Sequence, residues 1–202
     1  MCVDDDSFPP IPPISGGAAG SRDLTLTSGD GTKFMAHAAR AAKPTGAGMV
    51  VIPDVRGLHP YYKELADRFA EIGVDAVALD FFARTAPSED RSEKFDFMSQ
   101  VPLTKPDQLQ ADIAAAAAYL RTPDGGQVKS LYSVGFCFGG ADEGIPPADV
   151  EAFDQACRKA GVKHEQKVYE GAPHSFFDRK YAEFAEASAD AWKRVQAFVT
   201  GT

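Results

Sequence analysis

The chain has 202 residues, 44% hydrophobic and 25% charged, which suits one domain, or at most a tight two-lobed one, with a sizeable core. Its 21 Lys+Arg against 29 Asp+Glu give a net charge of -8 with no basic run, so nucleic acid and anionic membrane surfaces are poor partners. The acidic start Met1-Cys2-Val3-Asp4-Asp5-Asp6 has no apolar run behind it, no stretch reaches membrane-span length, and three scattered cysteines without a CxxC argue against a disulfide framework or zinc site; the expectation is a reducing cytoplasm.

Residues 1–21 read as an irregular arm, with Pro9-Pro10-Ile11-Pro12-Pro13 extended and the Gly/Ala/Ser run after it flexible. Residues 22–202 read as the domain. Asp23–Thr27 and Thr32–Ala38 alternate around Ser28-Gly29-Asp30-Gly31, the pattern of a hairpin. Met49–Ile52, Val74–Leu79 and Ser130–Phe136 are short continuous apolar runs, the mark of strands buried on both faces. Between them, Tyr62, Leu65, Phe69 and Ile72, and then Leu109, Ile113, Ala116 and Leu120, keep helical spacing. A polar loop covers Ala83 to Pro106. A helix is predicted from Pro147 to Ala160, a strand from Val162 to Tyr169, and a last helix through Tyr181, Phe184, Ser188, Trp192, Val195 and Phe198. An N-terminal hairpin followed by strand–helix units predicts an α/β fold with a mostly parallel sheet and helices on both faces.

Chemistry concentrates after the third apolar run, in Gly135-Phe136-Cys137-Phe138-Gly139-Gly140. Glycines two before and two after a residue between strand and helix keep Cβ atoms out of a tight corner and lift the central side chain above the sheet. Here that side chain is Cys137. A buried strand-end cysteine is the bland alternative; the glycine frame favours a nucleophile. Cys2 and Cys157 lack such a frame. Of four histidines, His174 sits in the Gly/Pro loop Glu170–Phe176, just past the last predicted strand, and is the candidate base. His37 reads as solvent-facing or structural, His164 as a strand start, and His59 as a surface residue or cleft liner. Asp142 is the candidate for holding the imidazole in one tautomer, giving the order nucleophile, acid, base. The aromatics Tyr61, Phe81, Phe82, Phe136, Phe138 and Phe176 are candidates for an apolar pocket or, equally, for core.

These motifs resemble the dienelactone hydrolase family, an α/β-hydrolase family. The matching stretches are Ile52–Gly57, Leu79–Arg84, Gly135–Gly140, Gly140–Pro146 and Gly171–Phe176. The resemblance implies a Cys137–His174–Asp142 triad that cleaves a small ester or lactone without metal or organic cofactor. It also implies an oxyanion hole from the N–H groups of Phe138 and Val55, an active-site acid at Asp54, and a carboxylate-gripping arginine at Arg84. Phe82 joins the expected substrate wall. A second arginine is expected four residues after the histidine; Asp178 stands there, with Arg179 next.

Cys137 and Asp142 are only five residues apart, whereas in that fold they end two different parallel strands. Each parallel crossover needs a dozen or more residues, so about 40 residues, two central strand–helix units, are absent here. Val134 and Val168 are then expected either to neighbour each other or to expose apolar edges. The reading is a cytoplasmic thiol hydrolase, monomer or small homo-oligomer. Its rivals are a hydrolase-like binding protein disabled by the missing segment, and a thiol redox protein with Cys157 as resolving cysteine.

Overall fold

A computed structural model describes residues 6–92, 94–135, 147–159, 161 and 164–201. Five strands form one open sheet: β1 (Ala18–Thr27), β2 (Lys33–Ala41), β3 (Ala47–Ile52), β4 (Asp75–Leu79) and β5 (Ser130–Gly135). The spatial order is β1-β2-β4-β3-β5. The hairpin β1–β2 and the pair β2–β4 are antiparallel; β3 is parallel to both β4 and β5. The sheet is therefore mixed, because the hairpin joins the parallel strands through an antiparallel partner. Strand β1 begins at Ala18, so the last residues of the expected arm pair with β2. What precedes them lies on the domain: Ile11 enters the core and the Ile14 N–H donates to Glu71 at 2.8 Å.

Alternation along the strands divides the core into two layers. On one face Met49, Val51, Ala76 and Ala78 pack against Tyr62, Leu65, Ala66 and Phe69 of α1 (Pro60–Glu71), with Trp192 and Val195 of α5 (Ala185–Thr200) alongside. On the other, Phe34, Ala36, Val50, Val77 and Leu79 meet Ala116 and Leu120 of α3 (Pro106–Leu120). These two layers explain why β3 and β4 read as unbroken apolar runs. A short helix, α2 (Phe97–Gln100), interrupts the polar loop before α3. Helix α4 (Pro147–Lys159) starts where its early proline predicts.

Two predicted elements differ. Residues 164–169 form no strand, and Val168 is 54% exposed. A strand needs a neighbour, and among the described residues β5 pairs only with β3. The last helix starts at Ala185, not near Tyr181; residues 170–184 run as successive turns. Those turns carry His174.

Candidate active site

The β3–α1 loop is the most firmly built part of the site. Asp54 is fully enclosed, with its Oδ1 accepting the Arg56 N–H at 2.9 Å. The Gly57 N–H donates to the Asp54 carbonyl at 3.1 Å, closing a turn around Val55. Gly57 has φ +69, and a Cβ there would meet Asp80 Oδ1 at 2.6 Å, so only glycine fits. Asp80 accepts the Leu58 N–H at 3.1 Å and the Phe82 N–H at 3.0 Å, tying this loop to the end of β4. Arg91 meets the same carboxylate with two bonds of 2.7 and 2.8 Å and lies 4.3 Å from the Phe95 ring centre. Fork pairing and hydrogen bonds to both oxygens make the burial of this ion pair tolerable.

His59 caps α1: its Nδ1 accepts the Tyr61 N–H at 3.3 Å and it is 2% exposed, which corrects the surface reading. His37 is structural, with Nδ1 2.7 Å from Asp23 and Nε2 3.3 Å from Asp67. His164, with no strand to start, has Nε2 2.8 Å from Asp154 of α4. Among the described residues no cavity of the site is needed to explain any of these three.

His174 is half-buried, on a loop held at both sides. The Tyr61 hydroxyl donates to the Phe177 carbonyl at 3.4 Å, and the Ser188 hydroxyl of α5 to the Phe176 carbonyl at 2.9 Å. Phe176 stacks on Tyr169 with ring centres 5.3 Å apart. Ser175, directly after the histidine, has φ +66. A non-glycine residue in the left-handed region costs about 1 kcal/mol or more and persists where surrounding contacts over-determine it.

The loop brings Asp178 to Asp54. Asp178 is 4% exposed and accepts the Arg179 N–H. Burial and the Asp54 charge outweigh that bond and the opposing effect of His174, and push the carboxyl up to about 6. Burial also raises Asp54, against the Arg56 N–H bond and the nearby Tyr62 hydroxyl. Tyr61, between them, has its phenol pushed up by burial and then by the Asp178 and Asp54 charges. The motifs point to Asp54 and His174, whereas Asp178 stands out in the sequence only as a departure from the family pattern, because nothing in the spacing says that residue 178 folds inward.

The other expected residues are placed as follows. Cys137, Phe138 and Asp142 lie outside the described residues, as does Phe136. Val55 sits at the loop tip, half-buried, and its N–H donates to no other described residue. Phe82 is fully enclosed, 4.4 Å from Phe81 and 5.1 Å from Phe95 by ring centres. Arg84 holds Asp112 through a two-bond fork of 2.8 and 2.9 Å and Asp30 through bonds of 2.8 and 3.0 Å. A substrate carboxylate would have to displace one of these partners.

The sequence profile of the Dienelactone hydrolase family matches residues 34–141 and 139–201. The chain belongs to this family. Its members are carboxylic ester hydrolases, and this chain is a hydrolase of that type. The two matched stretches overlap at 139–141, where Gly139-Gly140 ends one motif and begins the next. A Methylorubrum extorquens protein carrying the carboxymethylenebutenolidase name is 25% identical over 202 aligned positions, covering 73% of this chain and 69% of that one. A Synechocystis protein of the same name is 25% identical over 215 positions, covering 77% and 87%. These spans exceed the residues this chain contributes by about 55 to 60 positions. Among solved structures, a dienelactone hydrolase-type protein of Klebsiella pneumoniae superposes with a TM-score of 0.70 at 22% identity, over 91% of this chain and 99% of that one. A dienelactone hydrolase-like phosphotriesterase from metagenomic libraries gives 0.70 at 18% identity, over the same shares. Both have the fold described above. Among the described residues, no helix is long and apolar enough to cross a membrane.

Proposed function

We propose that the chain hydrolyses a small ester or lactone, dienelactone-like in size, through a cysteine nucleophile and a thioester. The observation that carries this is the seating of the His174 loop against the start of α1, beside the loop that holds Val55 and Asp54. Register supports it: Ile52 pairs with Gly135, so the chain leaves β5 next to the β3–α1 loop.

In this reading His174 takes the thiol proton and the Cys137 sulfur bonds to the substrate carbonyl carbon. The N–H groups of Val55 and Phe138 receive the oxyanion; Val55 has its donor to give. Collapse breaks the ester C–O bond, and the leaving oxygen takes the proton from His174. Water, deprotonated by His174, then attacks the thioester; the C–S bond breaks and the acid leaves. Asp142 holds the imidazole tautomer. Asp54 and Phe82 shape the substrate wall, Phe82 from behind. No metal or organic cofactor enters, and the working unit is a monomer or small homo-oligomer in a reducing cytoplasm.

Turnover of a chromogenic ester by purified protein tests this. Cys137→Ala and His174→Ala are each expected to lower kcat by about 10³ or more, and Asp142→Asn by about 10⁴. Undiminished hydrolysis by folded Cys137→Ala would place the nucleophile elsewhere. A near-normal rate for Asp142→Asn removes that residue from the triad while leaving the other two.

A further inference from the structure

Asp178 is a buried charge that the proposed chemistry does not use. It lies four residues past His174 and is 4% exposed, with the Arg179 N–H as its backbone donor. Asp54, fully enclosed, belongs to the facing loop, and the electrostatic influence of both carboxylates reaches the Tyr61 hydroxyl, itself 3.4 Å from the Phe177 carbonyl. Asp54 and Asp178 also raise each other's neighbourhood energy directly, since the Asp54 charge acts on Asp178. His174 opposes the charge effect on Asp178, and Arg56 and the chain's amino terminus oppose that on Asp54, yet burial, joined at Asp178 by the Asp54 charge, outweighs them. Arg56 acts on Asp54, with its guanidinium 5.8 Å from the Phe97 ring centre. Arg179 is exposed. Arg84 already carries two carboxylates. A molecule approaching His174 therefore enters a negative, poorly hydrated corner, where charge repulsion is weakly screened.

Resting on the hydrolase reading, we propose that Asp178, together with Asp54, is a specificity residue that makes the site accept esters and lactones with an uncharged acyl chain and turn away those that carry a carboxylate. Repulsion of one charge at this range is worth about tenfold in kcat/KM.

The test compares the full chain on p-nitrophenyl butyrate and on mono-p-nitrophenyl glutarate, each normalised to its own hydroxide hydrolysis. The wild type is expected to favour the butyrate by about tenfold or more. Asp178→Asn is expected to narrow that ratio about tenfold, mainly through KM for the glutarate, and Asp178→Glu to keep it. A wild type that favours the glutarate, or an unchanged ratio in Asp178→Asn, overturns the proposal. Absence of turnover with both esters counts against the hydrolase reading instead. Selectivity is then read from alkylation of Cys137 by iodoacetamide and by iodoacetate: a preference for the neutral reagent that shrinks in Asp178→Asn supports it, and an equal ratio in both proteins overturns it.

Discussion

The chain up to Gly135 and the chain after it are built to different standards. Before Gly135, every strand is paired and two apolar layers close over both faces of β2, β3 and β4, while the edge strand β5, expected to be buried on both faces, has no buried residue. After it, Val199 is the one buried hydrophobic residue among those described. Val168, Tyr181 and Phe198 are 54%, 44% and 47% exposed. The change falls where the two matched stretches of the family profile meet, at 139–141. Among the described residues no strand pairs with β5 on its outer side, so residues 164–169 have no ladder to join and Val168 stays mostly in water. What holds the C-terminal part is α5, whose Trp192, Val195 and Val199 pack on the core, together with specific bonds, Tyr61 to Phe177, Ser188 to Phe176 and Tyr169 to Asp190, of which two converge on the histidine loop. The first region contributes most of the buried core, and the second carries the His174 loop.

Substitutions sharpen this contrast. The largest effect is expected where burial is deepest. Phe69→Ala removes a ring packed at 5.1 Å on Trp192 and is expected to cost about 3–5 kcal/mol in urea unfolding. Asp80→Ala, which strands Arg91, belongs to the same range of about 3–5 kcal/mol. Less than 1 kcal/mol for either would mean that the first region is loosely packed.

Asp178→Asn is expected to stabilise. The folded carboxyl titrates near 6, above its ordinary 3.8, so the native state binds its proton more tightly than the unfolded chain. Stability from this group is present below about 3.8 and is lost as pH rises through about 6. The asparagine variant is thus expected to unfold later than wild type at pH 8, by about 2 kcal/mol, and to match it near pH 4. A loss of stability at pH 8 would mean that the carboxylate is held by favourable bonds, contrary to the account of a repelled pair.

A smaller effect is expected in the first region at His37. Burial opposes its charge, but the bonds to Asp67 and Asp23 prevail and hold the imidazole above its ordinary 6.5. That contribution is complete below 6.5 and is lost as pH rises through the raised value. Asp67→Asn is expected to cost about 1 kcal/mol at pH 5.5 and little at pH 9. Equal costs at both pH values would remove the imidazolium from the explanation. At the low end, Val168→Ala is expected to change stability by less than about 0.5 kcal/mol, since its side chain is mostly in water.

How much was legible in the sequence follows the same division. The hairpin, α1 and α3 declare themselves through complete apolar periods, and β3 and β4 through unbroken apolar runs covered on both faces. Val162–Tyr169 keeps the composition of a strand, yet composition does not supply the neighbour that a strand requires. Tyr181 and Phe184 keep helical spacing but fall in turns, where tertiary bonds from Ser188 and Tyr61 shape the loop instead. In the candidate site, the motifs point to His174 and Asp54, and the fold brings their two loops together. His59 was misread because an N-cap is a local bond to one peptide N–H, which four histidines of equal plausibility do not reveal. Asp178 was visible as a residue out of pattern, and only the fold turns it inward beside Asp54.

The central claim is that the histidine loop, held on this reduced sheet, still serves a thiol nucleophile. The most direct measurement is intact mass after rapid mixing with a slowly deacylating ester, followed by acid quench and peptide mapping. The account predicts one acyl group per chain, attached at Cys137, with His174→Ala strongly slowing its appearance. Hydrolysis that proceeds with no acyl group on Cys137, at a rate that Cys137→Ala leaves unchanged, would contradict it.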